Sequence, residues 1–272
     1  KQKAGAAAGA FVIPSIIPSR VLGRSAPGKQ IRVGQIGFGR IAKSHDLPET
    51  LKHDIALGVA VADVDLKRAR QGKQWMETFH TEHGKPSVDV AVYQDYREML
   101  QDKSIDAVII STPDHWHAQP AMEAALAGKD VYLQKPASLT IAEGRQMSDM
   151  VHRTGRIFQQ GSQQRGSSPW PHFHRACELV RNGRIGELEK IEIGLPGDPG
   201  GPEEPPMPVP DNLDYDMWLG PAPYAPYCKD RVHFHFRWIW DYSGGIICDW
   251  GTHLFDTAQW GNDTERPGPV EI

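Results

Sequence analysis

Cysteine is scarce in this chain: Cys177, Cys228 and Cys248 are all it has in 272 residues. Their odd number and wide spacing signal neither a disulfide framework nor a zinc knuckle. Basic runs are also absent and the formal charge is -4, which argues against nucleic acid or an anionic membrane surface as partner and favours a small molecule. No apolar stretch has the length and continuity of a membrane span. The glutamate of a zinc-peptidase motif is missing beside Asp249 and His253, so no metal is expected there. The composition that remains is globular, with 39% hydrophobic and 24% charged residues, enough chain for one large or two ordinary domains.

The first 28 residues differ from the rest. "AGAAAGAFVIPSIIPSRVLG" is small, apolar and uncharged until Arg20. It reads either as the apolar part of an export signal, which implies a periplasmic or secreted protein, or as an N-terminal arm packing on a neighbouring subunit of a cytoplasmic one.

From Ile31 onward, strands alternate with helices. "IRVGQIGFGRIA" is a buried strand running into Gly37-Phe38-Gly39, with Ala42 at the third small position of a dinucleotide fingerprint. Such glycines permit a tight turn and close approach of a pyrophosphate, which a following helix N-terminus favours. The next strand, "ALGVAVADVD", ends near Asp63, at the interval expected of an acid that bonds ribose hydroxyls; a carboxylate there repels a 2′-phosphate, so NAD is expected over NADP. Asp65 reads as the cap of a helix starting near Leu66. "DAVIISTP", "DVYLQKP" and "RIFQQGSQQR" read as further strands, with a helix over "HAQPAMEAALAGK" ending at Gly128. This pattern predicts a doubly wound α/β domain whose ligand lies beyond the strand ends that carry Gly37, Asp63, Thr112-Pro113 and Lys135. Pro136 holds Lys135 extended while its ammonium stays free to reach the crevice.

A helix around "FHRACELVRNG" leads to "ELEKIEIG", whose alternation predicts a strand opening a second sheet. The proline-rich stretch from Leu195 to Pro226 is read as either a loop shaping the site or a surface excursion. Tyr215, Trp218 and Tyr227 near its end suit sugar stacking or core packing. In "GGIICDWGTHLFDTAQW", Asp249 and His253 are four apart and share one helical face, the carboxylate placed to orient a histidine that exchanges protons. A metal-dependent hydrolase would instead need His233, His235, Asp249 or His253 to converge on an ion.

The GxGxxA turn, the "TPDHWH" run, the strand-terminal Lys-Pro and the Gly-Gly segment with Asp-x-x-x-His, in that order, resemble the Gfo/Idh/MocA oxidoreductase family. The resemblance runs from Ile31 to the end. It implies an N-terminal Rossmann doubly wound parallel sheet, here 29–163, followed by an α+β substrate domain with an open, mostly antiparallel sheet, here 164–272. "PGPVEI" at the end reads as the opening of another strand, with the domain continuing past it. The resemblance also implies a sugar, glycoside, cyclitol or related polyol substrate, and a dimer or tetramer. It places the catalytic roles on Lys135, Asp249 and His253. Cofactor contacts fall on Gly37, Phe38, Gly39, Arg40, Ile41, Asp63, Thr112, Pro113, His117, Gln134 and Lys135. The family usually has Glu-Lys-Pro where this chain has Gln134-Lys135-Pro136, which removes a charge beside the lysine. Three functions follow for test: NAD-dependent hydride transfer; glycoside cleavage or carbohydrate exchange with a retained NAD, suggested by the export-like start and "GSQQR"; and nucleotide binding without catalysis.

Overall fold

The computed structural model describes residues 30–197, 200 and 204–265. The export-like residues 1–28, part of the proline-rich stretch and the strand expected at 267–272 lie outside the described residues.

β1 (Ile31–Ile36) leads through the glycine turn into helical backbone from Arg40, which widens into a π-turn at Ala42–Asp46 and continues as α1 (Leu47–Leu51). There follow β2 (Ala56–Ala62), α2 (Leu66–Glu82), β3 (Ala91–Tyr93), α3 (Tyr96–Gln101), β4 (Ala107–Ile110), α4 (Ala118–Leu126), β5 (Asp130–Gln134), α5 (Ile141–Thr154) and β6 (Phe158–Gly161). The six strands form one sheet in the order β3-β2-β1-β4-β5-β6, parallel at every pairing. That order reverses direction between β1 and β4, which opens a crevice at their carboxyl ends.

The continuous apolar runs are needed because both faces of the sheet are covered. On one face Val33, Val61 and Ile109 pack with Leu47, Leu51, Met76 and Phe79 from α1 and α2. On the other, Ile36, Val59, Ile110 and Leu133 pack with Met99 from α3, Ala121 and Ala124 from α4, and Met147 from α5. Each fully buried aliphatic side chain contributes roughly 1.5–3 kcal/mol, so the strand ends rest on a stiff base. The caps follow the sequence: Asp65 accepts the Lys67 and Arg68 N–H groups at 3.0 and 3.3 Å, and a Thr140/Glu143 capping box starts α5.

Past the sheet come α6 (Pro171–Arg181), α7 (Tyr215–Leu219), α8 (Gly245–Asp249) and α9 (Gly251–Gly261). Tyr215, Trp218 and Tyr227 are buried with Leu213, Val232, Phe236 and Tyr242 in a small second core, which accounts for Tyr215 and Tyr227 by packing, while Trp218 also borders the cavity described below. The strand expected over "ELEKIEIG" does not form: 187–194 is irregular and mostly exposed. Alternation marks a strand only where a neighbour completes the ladder, and among the described residues this segment has none. No helix among the described residues is long and apolar enough to cross a membrane.

Candidate active site

The turn after β1 is built for close approach. Gly37 sits at φ +80, and a Cβ there would lie 2.9 Å from the Ser111 carbonyl oxygen, so only glycine fits. Beside Gly39 the nearest group is an Arg68 nitrogen, 3.9 Å from where a Cβ would stand. Helical backbone begins at the next residue, and its first N–H groups have no carbonyl partner within the helix, a setting that suits phosphate.

Asp63, just beyond β2, takes the Phe38 N–H on one carboxylate oxygen at 2.8 Å and the Asp65 N–H on the other at 2.9 Å. Each oxygen keeps a further lone pair. Burial pushes this carboxyl up to about 6, against the pull of those N–H groups and of Arg68. Asp63 borders a cavity of about 170 Å³ that Gly37, Gly39, Arg40, Ile41, Thr112 and Pro113 also line. Trp218, His233, Phe234 and Arg237 close it from the second segment, with Arg40 over the Phe234 ring at 5.2 Å. An open backbone at Gly39, with nothing closer than 3.9 Å to where a side chain would begin, and carboxylate lone pairs left on Asp63 beside the same cavity fit a dinucleotide.

Other expected contacts point elsewhere. The Phe38 side chain is buried against α2, and its backbone alone meets Asp63. His117 is 1% exposed; its Nδ1 faces the Pro136 carbonyl at 2.5 Å and its Nε2 the Thr112 carbonyl at 2.9 Å. It therefore joins the loop after β4 to the loop after Lys135 and does not line the cavity. The rest of "TPDHWH" docks the second segment: Asp114 accepts from the Ser243 hydroxyl at 2.5 Å, while His115 Nε2 and Trp116 Nε1 both meet the Trp218 carbonyl. Gln134 is buried and reaches Asp46.

Lys135 and Asp249 meet. The ammonium donates to the Asp249 carboxylate and, at 2.8 Å, to the Asp249 carbonyl. That carbonyl is available because the expected single helix breaks at Trp250: the His253 N–H bonds the Trp250 carbonyl at 3.1 Å instead of Asp249 four residues back. Arg237 donates to the other Asp249 oxygen at 3.2 Å and also lines the cavity, linking the two parts of the site. Burial would raise the Asp249 carboxyl, but the Lys135 and Arg237 charges outweigh it and hold it below the usual range. His253 is lowered to about 4, by burial first and then by the Lys135 charge, so it is neutral near pH 7 and able to accept a proton. Among the described residues the ammonium has these two acceptors, both on Asp249, and an ammonium has three N–H groups. Asp256 turns away to a bidentate pair with Arg165, at 2.7 and 2.8 Å. Among the described residues no three His, Cys, Asp or Glu side chains are grouped to hold a metal ion.

Sequence reasoning missed Asp46, Ser111 and Arg237. Asp46 follows the glycine turn in an unremarkable "SHDLP", and Arg237 sits in an aromatic run without a motif. No local pattern marked either of them.

Residues 31–162 match the model of an oxidoreductase family described as an NAD-binding Rossmann fold, and residues 199–272 match that family's C-terminal alpha/beta domain. The chain is 30% identical to the uncharacterized oxidoreductase YrbE of Bacillus subtilis (strain 168), over 85% of this chain and 54% of that protein. It is also 30% identical, with the same coverage of 85% and 54%, to myo-inositol 2-dehydrogenase of Thermotoga maritima. The crystal structure of a probable dehydrogenase from Thermotoga maritima superposes with a TM-score of 0.52 at 25% identity, over 85% of this chain and 54% of that one. The chain thus spans about half the length of these relatives. With both family domains matched in order, the chain belongs to the Gfo/Idh/MocA oxidoreductase family.

Proposed function

We propose that the protein is an NAD-dependent oxidoreductase acting on a hydroxyl or carbonyl of a cyclitol, sugar or glycoside. The observation that carries this reading is the Lys135–Asp249 pair, joined through Arg237 to the cavity bordered by the glycine turn and Asp63. Gly37, Gly39, Arg40 and Ile41 would hold the pyrophosphate and Asp63 the adenosine ribose, with Thr112 and Pro113 left for the nicotinamide end. When bound, NAD supplies the hydride acceptor. Lys135 donates a hydrogen bond to the reacting oxygen and stabilises the charge it develops. His253, neutral at the start, takes the hydroxyl proton as the carbinol carbon gives up its hydride and the carbonyl forms. Asp249 fixes the lysine by two bonds and so sets its direction. Asp63 favours NAD over NADP by repelling a 2′-phosphate. The name of the Thermotoga relative makes inositols the first substrates to try.

The test is to follow nicotinamide absorbance with NAD and a panel of inositols, hexoses and glycosides. Turnover of at least one polyol, abolished in Lys135→Ala and His253→Ala while both variants still bind NAD, is expected. Wild-type rates in both variants, or no turnover across the panel, would overturn the reading. Strict dependence on added NAD would separate ordinary exchange from a retained cofactor serving glycoside cleavage or carbohydrate exchange.

A further inference from the structure

Beneath the glycine turn lies a buried acid that the proposed chemistry does not use. Asp46 is 4% exposed and ends the π-turn that follows Gly37–Gly39. Wide turns of this kind recur at functional sites. Its carboxylate accepts the Ser111 hydroxyl at 2.6 Å on one oxygen and the Gln134 amide Nε2 at 2.6 Å on the other. Both partners lead to the site. Gln134 Oε1 accepts the Lys135 N–H at 3.1 Å. Ser111 Oγ accepts from Gln35 Nε2 at 3.0 Å, and Gln35 also donates to the Gly37 carbonyl at 2.9 Å.

We infer that Asp46 is a positioning residue: its carboxylate couples the strand end that carries Lys135 to the glycine turn, through Gln134 on one side and through Ser111 and Gln35 on the other. The orientation of Gln134 is decided by it. With Nε2 committed to Asp46, Oε1 faces the Lys135 N–H; without the acid the amide has no reason to hold that direction. The glutamine in Gln134-Lys135-Pro136 thereby acquires a cause, because a glutamate there would set a second buried carboxylate against Asp46. The acid stands on the helical turn, its amide donor on the strand. The pair should therefore work equally well inverted: an asparagine at 46 donating to a glutamate at 134, which still accepts the Lys135 N–H.

This inference rests on the proposed function for the roles of Lys135 and the turn, and a double-mutant cycle separates the two. Asp46→Asn and Gln134→Glu are each expected to lower the thermal midpoint by roughly 4 °C or more, to weaken NAD binding measured by calorimetry, and to cut kcat by about 10- to 100-fold. The double variant is expected to regain midpoint, NAD affinity and kcat together. Additive losses in the double variant overturn the inference whatever the turnover. Recovery of the midpoint without recovery of NAD affinity also overturns it, since it leaves Asp46 a purely structural partner. A wild-type chain that binds NAD but oxidises no polyol sinks the functional reading alone, and the affinity arm of the cycle still decides this one.

Discussion

Replacing Lys135 by methionine removes the ammonium and keeps most of the side-chain volume. Lys135 and Asp249 are only 12% and 16% exposed, so their pair is shielded from solvent. Breaking a buried pair costs roughly 3–5 kcal/mol when the surviving charge is left alone. Asp249 is not left alone, because Arg237 stays at 3.2 Å. About half of that cost, ~2 kcal/mol, is therefore expected, equivalent to about 4–8 °C of Tm for a chain of this size. The Asp249 carboxyl should rise, having lost one of the two cations that hold it down. His253 should rise from about 4, since burial remains but the Lys135 charge that helps depress it is gone. Thermal melts read the first effect, and an NMR titration of the His253 ring, assigned with His253→Gln, reads the second. A Tm within about 1 °C of wild type together with an unmoved His253 would refute the geometry on which the site is built.

Gly37→Ala places a side chain at φ +80 and 2.9 Å from the Ser111 carbonyl oxygen; calorimetry should find NAD binding lost, and denaturation a destabilisation of roughly 1–3 kcal/mol. Asp63→Asn removes the charge facing a 2′-phosphate, so the ratio of NADP to NAD affinity should rise. Asp46 is pushed up to about 6 from 3.8 by burial, and the titratable group beside it, Tyr132, is raised. Its folded form thus holds a proton more tightly than the unfolded chain. That contribution adds stability as pH falls through about 6 toward 3.8, and it should vanish in Asp46→Asn when urea unfolding is compared across that window. His115, His233 and His253 carry the opposite sign. Each is lowered to about 4 from 6.5, mainly by burial, so their contribution is complete above 6.5 and lost as pH falls toward 4. Replacing any one of them by glutamine should flatten the acid limb of the stability curve.

The sheet was legible because a parallel strand covered on both faces must be apolar throughout, and "DAVIISTP" or "ALGVAVAD" admits little else. The glycine turn, the end of β2 just before Asp63 and the Asp65 cap were legible for a related reason: each is a local backbone feature, carried by residues adjacent in the chain. The polar hubs were not. Asp46 meets Ser111 across 65 residues and Gln134 across 88, and no local pattern encodes those distances. Arg237 likewise becomes a partner of Asp249 only once the 233–238 turn folds over the crevice. His117 was read as lining the nicotinamide end because it stands in the right run, yet its ring is spent on two carbonyls. "ELEKIEIG" shows the reverse failure, a clear period-two pattern that needs a neighbouring strand to become structure.

The most direct test is a crystal structure of the protein grown with NAD. The account predicts the pyrophosphate over Gly37–Gly39, the adenosine ribose hydroxyls on Asp63, and the nicotinamide running past Thr112 and Pro113 toward Lys135. NAD bound outside this crevice, or lying in it with the nicotinamide at Asp63, would contradict it.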